Sequence, residues 1–352
     1  MKKIRMGVIG TGSWATQHHI PSLIKCDRAE LVAISDVDKY KLKAVSSYYG
    51  IEHTYENYKD MLDLVDGVVI AVPHVHHYEI ARNALNAEVS VLIEKPMTLE
   101  SKHAWDLVKI SEERNLHLMV GTTFQFTRHA RRIREVVRSG HIGEIRHIAG
   151  LFASSVESLY RNEQNSHKNA VGPSFKHPDM RTYSDPRIAG GGQGQTQLSH
   201  AMGMVFWITD LYATEIFAYM EKFDLQVDLV NAISYKLNNG AVGTMAGTGN
   251  VGSGQDENQE FRYYGTEGQI KQDMIHGKAE IIYKDGRVEV LSDLSDDEIY
   301  PEHIPSRTLV DLLLGMGENP APGISSARVV EFLEAAYRSA VLGLPVKLTL
   351  QY

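Results

Sequence analysis

The 352-residue chain predicts an α/β protein in two parts: a parallel sheet with crossover helices, then an α+β domain with an open, mostly antiparallel sheet. Three observations predict it. Short β-branched runs at 4–10, 30–35, 66–72 and 89–93 alternate with longer stretches of helical spacing, the pattern of a parallel sheet. From about residue 141 such runs follow one another with few helices between, as in an antiparallel sheet. The length also suits two domains at roughly 150 residues each.

Taken in order, the last unit of the first domain is 116–121, preceded by the amphipathic stretch 99–115, which places the boundary at 122: residues 1–122, then 123–352. In the second domain the runs 145–152, 227–237, 241–249, 261–264 and 279–283 predict five or six strands, with tight turns at Asn238-Asn239-Gly240 and Asp285-Gly286. Helices are expected at 128–139, 196–209 and 325–342, the last with a core stripe of Val329, Phe332, Leu333, Ala336 and Tyr337. Residues 153–195, rich in Asn, Ser, His, Gly and Pro, carry no period, and a loop that long in a compact protein points to function.

Composition narrows the functional classes. With 36 Lys and Arg against 44 Asp and Glu, the net charge of -8 offers no basic face for nucleic acid. The single cysteine, Cys26, allows neither an intramolecular disulfide nor a cysteine-rich zinc site. No run approaches the ~18 apolar residues of a membrane span, and the first apolar stretch breaks at glycines too early for a signal peptide. A cytoplasmic protein is expected.

The sequence Gly10-Thr11-Gly12-Ser13-Trp14-Ala15 fits the dinucleotide fingerprint G-x-G-x-x-G/A after a strand and before a helix. Gly10 permits the turn, Gly12 lets backbone approach a pyrophosphate, and Ala15 keeps the helix close to the sheet. Asp36 ends the second strand, where a carboxylate meets ribose hydroxyls and repels a 2′-phosphate, so NAD is favoured over NADP. The first domain is thus read as a Rossmann domain. The turn Ala71-Val72-Pro73-His74-Val75-His76-His77 should line the nicotinamide side, with His77 starting or capping the next helix. Its histidines lack a carboxylate at metal-site spacing, and no metal is expected.

With Glu94-Lys95-Pro96 after the run 89–93, the pattern resembles the Gfo/Idh/MocA oxidoreductases of glucose–fructose oxidoreductase and inositol dehydrogenase type. The resemblance extends over nearly the whole chain through the fingerprint, the Pro73–His77 turn, Ser139-Gly140-His141-Ile142-Gly143-Glu144-Ile145, Gly190-Gly191-Gly192 before His200, and Gly265-Thr266-Glu267-Gly268. It implies that Lys95 lies beside the nicotinamide and the reacting hydroxyl, that Pro96 follows a cis bond, and that the open sheet forms the subunit contact. It also implies cofactor contacts from Glu94, Lys95, Pro96 and Gln125. The family's Asp–His pair, four residues apart, appears here as Thr196 and His200, and the Arg or Asn often seen after the sixth strand is replaced within Thr122-Thr123-Phe124-Gln125.

Hydride transfer at an alcohol carbon requires a nearby base for the hydroxyl proton. His200 is expected to take it while Lys95 polarises the oxygen. Substrate contacts are expected from Lys95, Phe124, Tyr160, His177, Tyr183, Gln195, Thr196 and His200, with Gln125, Arg161, His167, Lys168 and Arg181 as further candidates. Gln193, Gln195 and Gln197 offer amides, which suit a neutral polyol such as a sugar, sugar derivative or cyclitol. The alternatives are a reductase of a non-sugar aldehyde, ketone or dihydrodiol, or a non-catalytic NAD-binding sensor, the latter suggested by Thr196. The alternating run Val227–Ile233 leaves one sheet face for a homodimer or homotetramer contact.

Overall fold

The computed structural model describes residues 3–163 and 173–348. It divides into two compact units, one made of the described residues of 1–121, 164–182 and 302–327, the other of 122–163, 183–301 and 328–352. The division read from the pattern, 1–122 and 123–352, is contiguous in sequence, whereas these units are not. No helix among the described residues is long and apolar enough to cross a membrane.

In the first unit, β1 (Ile4–Ile9), β2 (Ala29–Ser35), β3 (His53–Tyr55), β4 (Gly67–Ile70), β5 (Ser90–Ile93) and β6 (Leu118–Val120) form one parallel sheet in the order β3-β2-β1-β4-β5-β6. This is the doubly wound order in which ligands bind beyond the carboxyl ends of the strands. Every residue of β4, β5 and β6 is buried, as strands covered on both faces require, which is why they appear in the sequence as continuous apolar runs. Helix Ser101–Glu113 buries Ala104, Leu107, Val108 and Ser111, spaced for one face.

Among its described residues the second unit has nine strands, where the sequence suggested five or six: β7 (Ile145–Ala153), β8 (Ala213–Glu221), β9 (Val230–Leu237), β10 (Val242–Thr248), β11 (Asn258–Gly265), β12 (Gly268–Asp273), β13 (Lys278–Tyr283), β14 (Val288–Val290) and β15 (Val346–Lys347). Their order is β14-β13-β12-β11-β7-β10-β9-β8-β15, antiparallel except that β7 runs parallel to β10. Of the strands outside the predicted runs, β14 and β15 are very short, β8 is nine residues long and pairs with β9 and β15, and β12 reads Gly-Gln-Ile-Lys-Gln-Asp, its pairing with β11 and β13 supplying the order that its composition does not. The core lies over this sheet, around the helix Ser199–Thr209, every residue of which is buried. A helix apolar on all sides is an interior helix. Ala130, Ile133 and Val136 of helix Arg128–Arg138 and Val329, Phe332, Leu333 and Ala336 of helix Gly323–Leu342 complete that core. The described part of 153–195 holds single helical turns at Glu157–Tyr160, Ser174–Lys176 and Pro186–Ala189, too short to leave a period.

Candidate functional site

In the first unit, β1 delivers the chain into the fingerprint loop. Gly10 has φ +91°, and a Cβ there would sit 2.4 Å from the Ala71 carbonyl oxygen, so the turn admits only glycine. A Cβ at Gly12 would meet no protein atom within 4 Å. The helical turns that begin at Ser13 include a π turn, Ala15–His19, before helix Ile20–Ile24. Ala15 is fully buried.

Asp36 sits beside this loop, where the fingerprint predicts it. Its Oδ2 accepts from the Thr11 N–H and the Thr11 hydroxyl, each at 2.8 Å, and Oδ1 accepts from the Asp38 N–H at 3.0 Å. Lys41, not singled out in the sequence, pairs with the same carboxylate at 3.1 Å. The segment 173–182 also lies here. Ser13 Oγ and Gln17 Nε2 donate to the Lys176 carbonyl at 2.8 and 3.0 Å, while Phe175 packs on Tyr48 and the Lys176 ammonium lies 4.9 Å from the centre of the Tyr48 ring. His177, expected at the substrate, is exposed on this same segment of the first unit. His167 and Lys168 lie outside the described residues.

The turn 71–77 returns to the loop through the Ala71 N–H, which donates to the Ile9 carbonyl at 2.9 Å. After Pro73 and the buried His74, His77 begins helix His77–Asn86. Its ring nitrogens face the carbonyls of Pro96 at 2.8 Å and Val72 at 2.9 Å, which ties the turn to the Lys95-Pro96 peptide. That peptide is cis. Burial pushes the His77 pKa below the usual histidine value, against the two carbonyls, which raise it.

At the end of β5, the Glu94 side chain is buried. Its Oε1 accepts from His19 Nε2 at 2.8 Å and from Trp14 Nε1 at 3.0 Å, and Oε2 faces the Lys95 backbone N–H at 3.4 Å. Gly121 makes room for it: a Cβ there would lie 2.5 Å from Glu94 Oε1. Burial pushes the Glu94 carboxyl up, but the His19 hydrogen bond and the neighbouring positive charges outweigh it and leave its pKa below the ordinary value. Burial lowers the Lys95 amine, and the Glu94 charge partly offsets that.

In the second unit, Gly190–Gly192 lead into a second π turn, Gly194–Leu198, and then helix Ser199–Thr209, which carries His200. The stretch is held by a residue that the sequence did not mark. Asp228 Oδ1 accepts from the Gly192 N–H at 2.7 Å and the Tyr337 hydroxyl at 2.6 Å, and Oδ2 accepts from the Gly194 N–H at 2.8 Å and Asn231 Nδ2 at 2.7 Å. His200 is buried, with Nε2 3.3 Å from the Tyr300 hydroxyl. Phe124 lies edge-on to both rings, 5.8 Å from His200 and 5.1 Å from Tyr300.

Several expected contact residues also hydrogen-bond or pack within their own unit. Thr196 and Tyr160 spend their hydroxyls on each other at 2.5 Å, Thr196 also donates to the Gly192 carbonyl at 2.8 Å, and burial pushes the Tyr160 pKa up. Gln193 Nε2 reaches the carbonyls of Phe152 and Thr248, both at 3.1 Å. Gln125 is buried, accepts from the Thr122 hydroxyl and donates to the Gly203 carbonyl at 3.2 Å, so its amide is used internally. Arg161 pairs with Glu157 and Asp224, and Arg181 with Asp179, at the surface. Gln195 is buried at the start of the π turn, its N–H directed to the Tyr337 hydroxyl at 3.2 Å. Tyr183 packs beside Tyr160, Leu225, Val227 and Leu229.

Of the groups that sequence reasoning missed, His19 and Lys41 lie near expected residues, but neither spacing has a known signature. Asp228 and Tyr300 are single polar residues whose partners are distant in the chain, and nothing local marks them.

Two models of one family match the chain: the oxidoreductase family with NAD-binding Rossmann fold over residues 4–122, and the GFO/IDH/MocA C-terminal domain over residues 130–271. The chain belongs to the GFO/IDH/MocA oxidoreductase family. Among curated relatives, the dTDP-3,4-didehydro-2,6-dideoxy-alpha-D-glucose 3-reductase of Actinomadura kijaniata is 34% identical over 151 residues, 42% of this chain and 45% of that protein. The 1-carboxy-3-chloro-3,4-dihydroxycyclo hexa-1,5-diene dehydrogenase of Comamonas testosteroni is 25% identical over 258 residues, 72% of this chain and 60% of that protein. The chain spans about half the length of most of the curated relatives it matches. Levoglucosan dehydrogenase, solved with NADH and levoglucosan, shares the fold at TM-score 0.79 and 17% identity, covering 98% of this chain and 99% of that one.

Proposed function

We propose that the protein is an NAD(P)-dependent dehydrogenase or reductase that moves a hydride between the nicotinamide and a secondary alcohol or ketone of a sugar, sugar derivative or cyclitol. The observation that carries it is the fingerprint loop: Gly10 is forced by the backbone, whereas Gly12 is unconstrained by any protein neighbour and leaves room for a pyrophosphate. Asp36 at the strand end fits the ribose hydroxyls and favours NAD, although Lys41 beside it supplies a positive charge.

When bound, the dinucleotide supplies the hydride acceptor or donor. His200 takes the hydroxyl proton as a carbonyl forms and returns it in reduction, and Lys95 donates a hydrogen bond to the reacting oxygen. Phe124 and Tyr183 offer aromatic surface for the apolar face of a ring, and Gln195 a polar contact. The relatives act by name on a deoxysugar nucleotide, which fits the sugar-derivative reading, and on a cyclic diene diol, which belongs with the dihydrodiol alternative. The protein is further proposed to be a cytoplasmic homodimer or homotetramer through the second unit's sheet, where β9 alternates buried and exposed residues. A monomeric mass in solution would refute the assembly.

The test of the activity follows reduced-nicotinamide absorbance with NAD+ or NADP+ and a panel of sugars, glycosides, inositols, sugar acids and cyclic diols. A signal abolished by Lys95→Ala is expected. A signal that Lys95→Ala and His200→Ala both leave intact would overturn the assignment.

A further inference from the structure

We propose that Glu94 is a positioning residue: an anion held in place by His19 and Trp14, which keeps the neighbouring Lys95 side chain in its ammonium form and so able to donate to the reacting oxygen. The inference rests on the assignment of Lys95 above, and it concerns a different residue and a different property.

The geometry separates Glu94 from an ordinary exposed acid beside a lysine. Its carboxylate is buried against Gly121, where no side chain other than hydrogen fits. Two N–H groups converge on one oxygen, those of the Trp14 indole and the His19 ring. His19 Nδ1 is buried and faces no hydrogen-bond acceptor. The ring therefore meets the carboxylate through Nε2. Among these groups the Glu94 pKa stays below the ordinary carboxyl value, so Glu94 is an anion. The cation it serves is the next residue along the chain.

The titratable and charged groups that act on this carboxylate are His19 from the first helix, His77 from the helix after the 71–77 turn, and Lys95 itself. His18, one residue from His19, is influenced in turn by Glu302 and Glu94. Burial alone lowers the Lys95 amine, and Glu94 is the group that opposes the fall. The π turn Ala15–His19 is part of the device, because it places His19 toward the end of β5 while Trp14, at its start, reaches the same oxygen. A phosphate-binding loop and the charge state of the lysine are thereby set by one helical segment.

The sign of the pH effect follows. The ammonium form is required, so turnover falls as pH rises through the Lys95 value. Removing the Glu94 charge lowers that value, and the fall then comes at lower pH.

The experiment uses the full chain without substrate. Lysines are reductively methylated with 13C-formaldehyde, the Lys95 resonance is assigned by its loss in Lys95→Ala, and its titration is followed by NMR. Glu94→Gln, which keeps the shape and one acceptor oxygen for Trp14 and His19, should lower the midpoint by about one pH unit or more. His19→Leu, which keeps the charge but removes one of its anchors, should lower it less, and His19→Gln, whose amide can still donate, should restore it. A Lys95 midpoint unmoved in both Glu94→Gln and His19→Leu overturns the inference whatever the activity. A midpoint that moves in Glu94→Gln while the alkaline limb of kcat stays fixed supports the role of Glu94 and instead refutes the role of Lys95 in turnover.

Discussion

The two units each send a glycine-rich stretch into a π turn and then a helix, yet the glycines answer to different neighbours. In the first, Gly10 packs against the Ala71 carbonyl, while a Cβ at Gly12 would meet nothing. In the second, a Cβ at Gly192 would lie 2.0 Å from the Asp228 carbonyl oxygen, and one at Gly191 would lie 2.1 Å from the Tyr337 hydroxyl. The first stretch leaves space beside its backbone, and the second is closed by the protein's own groups. Asp228 accepts from the N–H groups of Gly192 and Gly194, which an external anion would otherwise engage. Similar composition therefore supports a ligand in one unit and braces the helix of His200 in the other. Both stretches use π turns, which recur at functional sites.

The contrast can be broken at several points. The largest effect is expected at the residue the brace carries: His200→Ala should lower kcat by about 10²–10⁴-fold with melting temperature little changed, as stopped or continuous nicotinamide assays would report. Asp228→Ala should do the reverse and act first on stability. It leaves two backbone N–H groups, a tyrosine hydroxyl and an asparagine amide without their buried acceptor, at a cost of about 3 kcal/mol in chemical denaturation. Wild-type stability in that variant would remove the brace from the account. Gly192→Ala sharpens the same point, with about 1–3 kcal/mol lost to the clash with Asp228. Smallest is Tyr300→Phe, which deletes the hydroxyl at His200 Nε2 and should reduce kcat about tenfold while shifting its pH profile. An unshifted profile would make Tyr300 a packing residue only.

What was legible in the sequence was whatever a short window contains. The runs that became β1, β2, β4 and β5 declare themselves because strands buried on both faces need apolar residues at every position. Gly10, Gly12 and Asp36 are fixed by a local turn and by the next strand end, so one motif finds all three. The brace is different in kind: Asp228 meets Gly192 across 36 positions, and His19 meets Glu94 across 75. Such contacts exist only once the chain is folded. Segment 173–182 is the extreme case, since Lys176 reaches Ser13 across 163 positions, and composition alone placed His177 with the substrate. The polar residues assigned to a substrate, Tyr160, Thr196 and Gln193, were legible as hydrogen-bonding groups but not as groups already paired with each other or with the sheet. Hydrogen-bonding capacity can be read from a residue type, but its partner cannot.

The most direct measurement is a calorimetric titration of NAD+ into the wild-type protein and Gly12→Ala. Because no protein atom opposes a Cβ at that position, the variant should melt with the wild type in the absence of ligand and lose at least about tenfold in dinucleotide affinity. Equal affinity in the two proteins would contradict the claim that this loop receives the pyrophosphate.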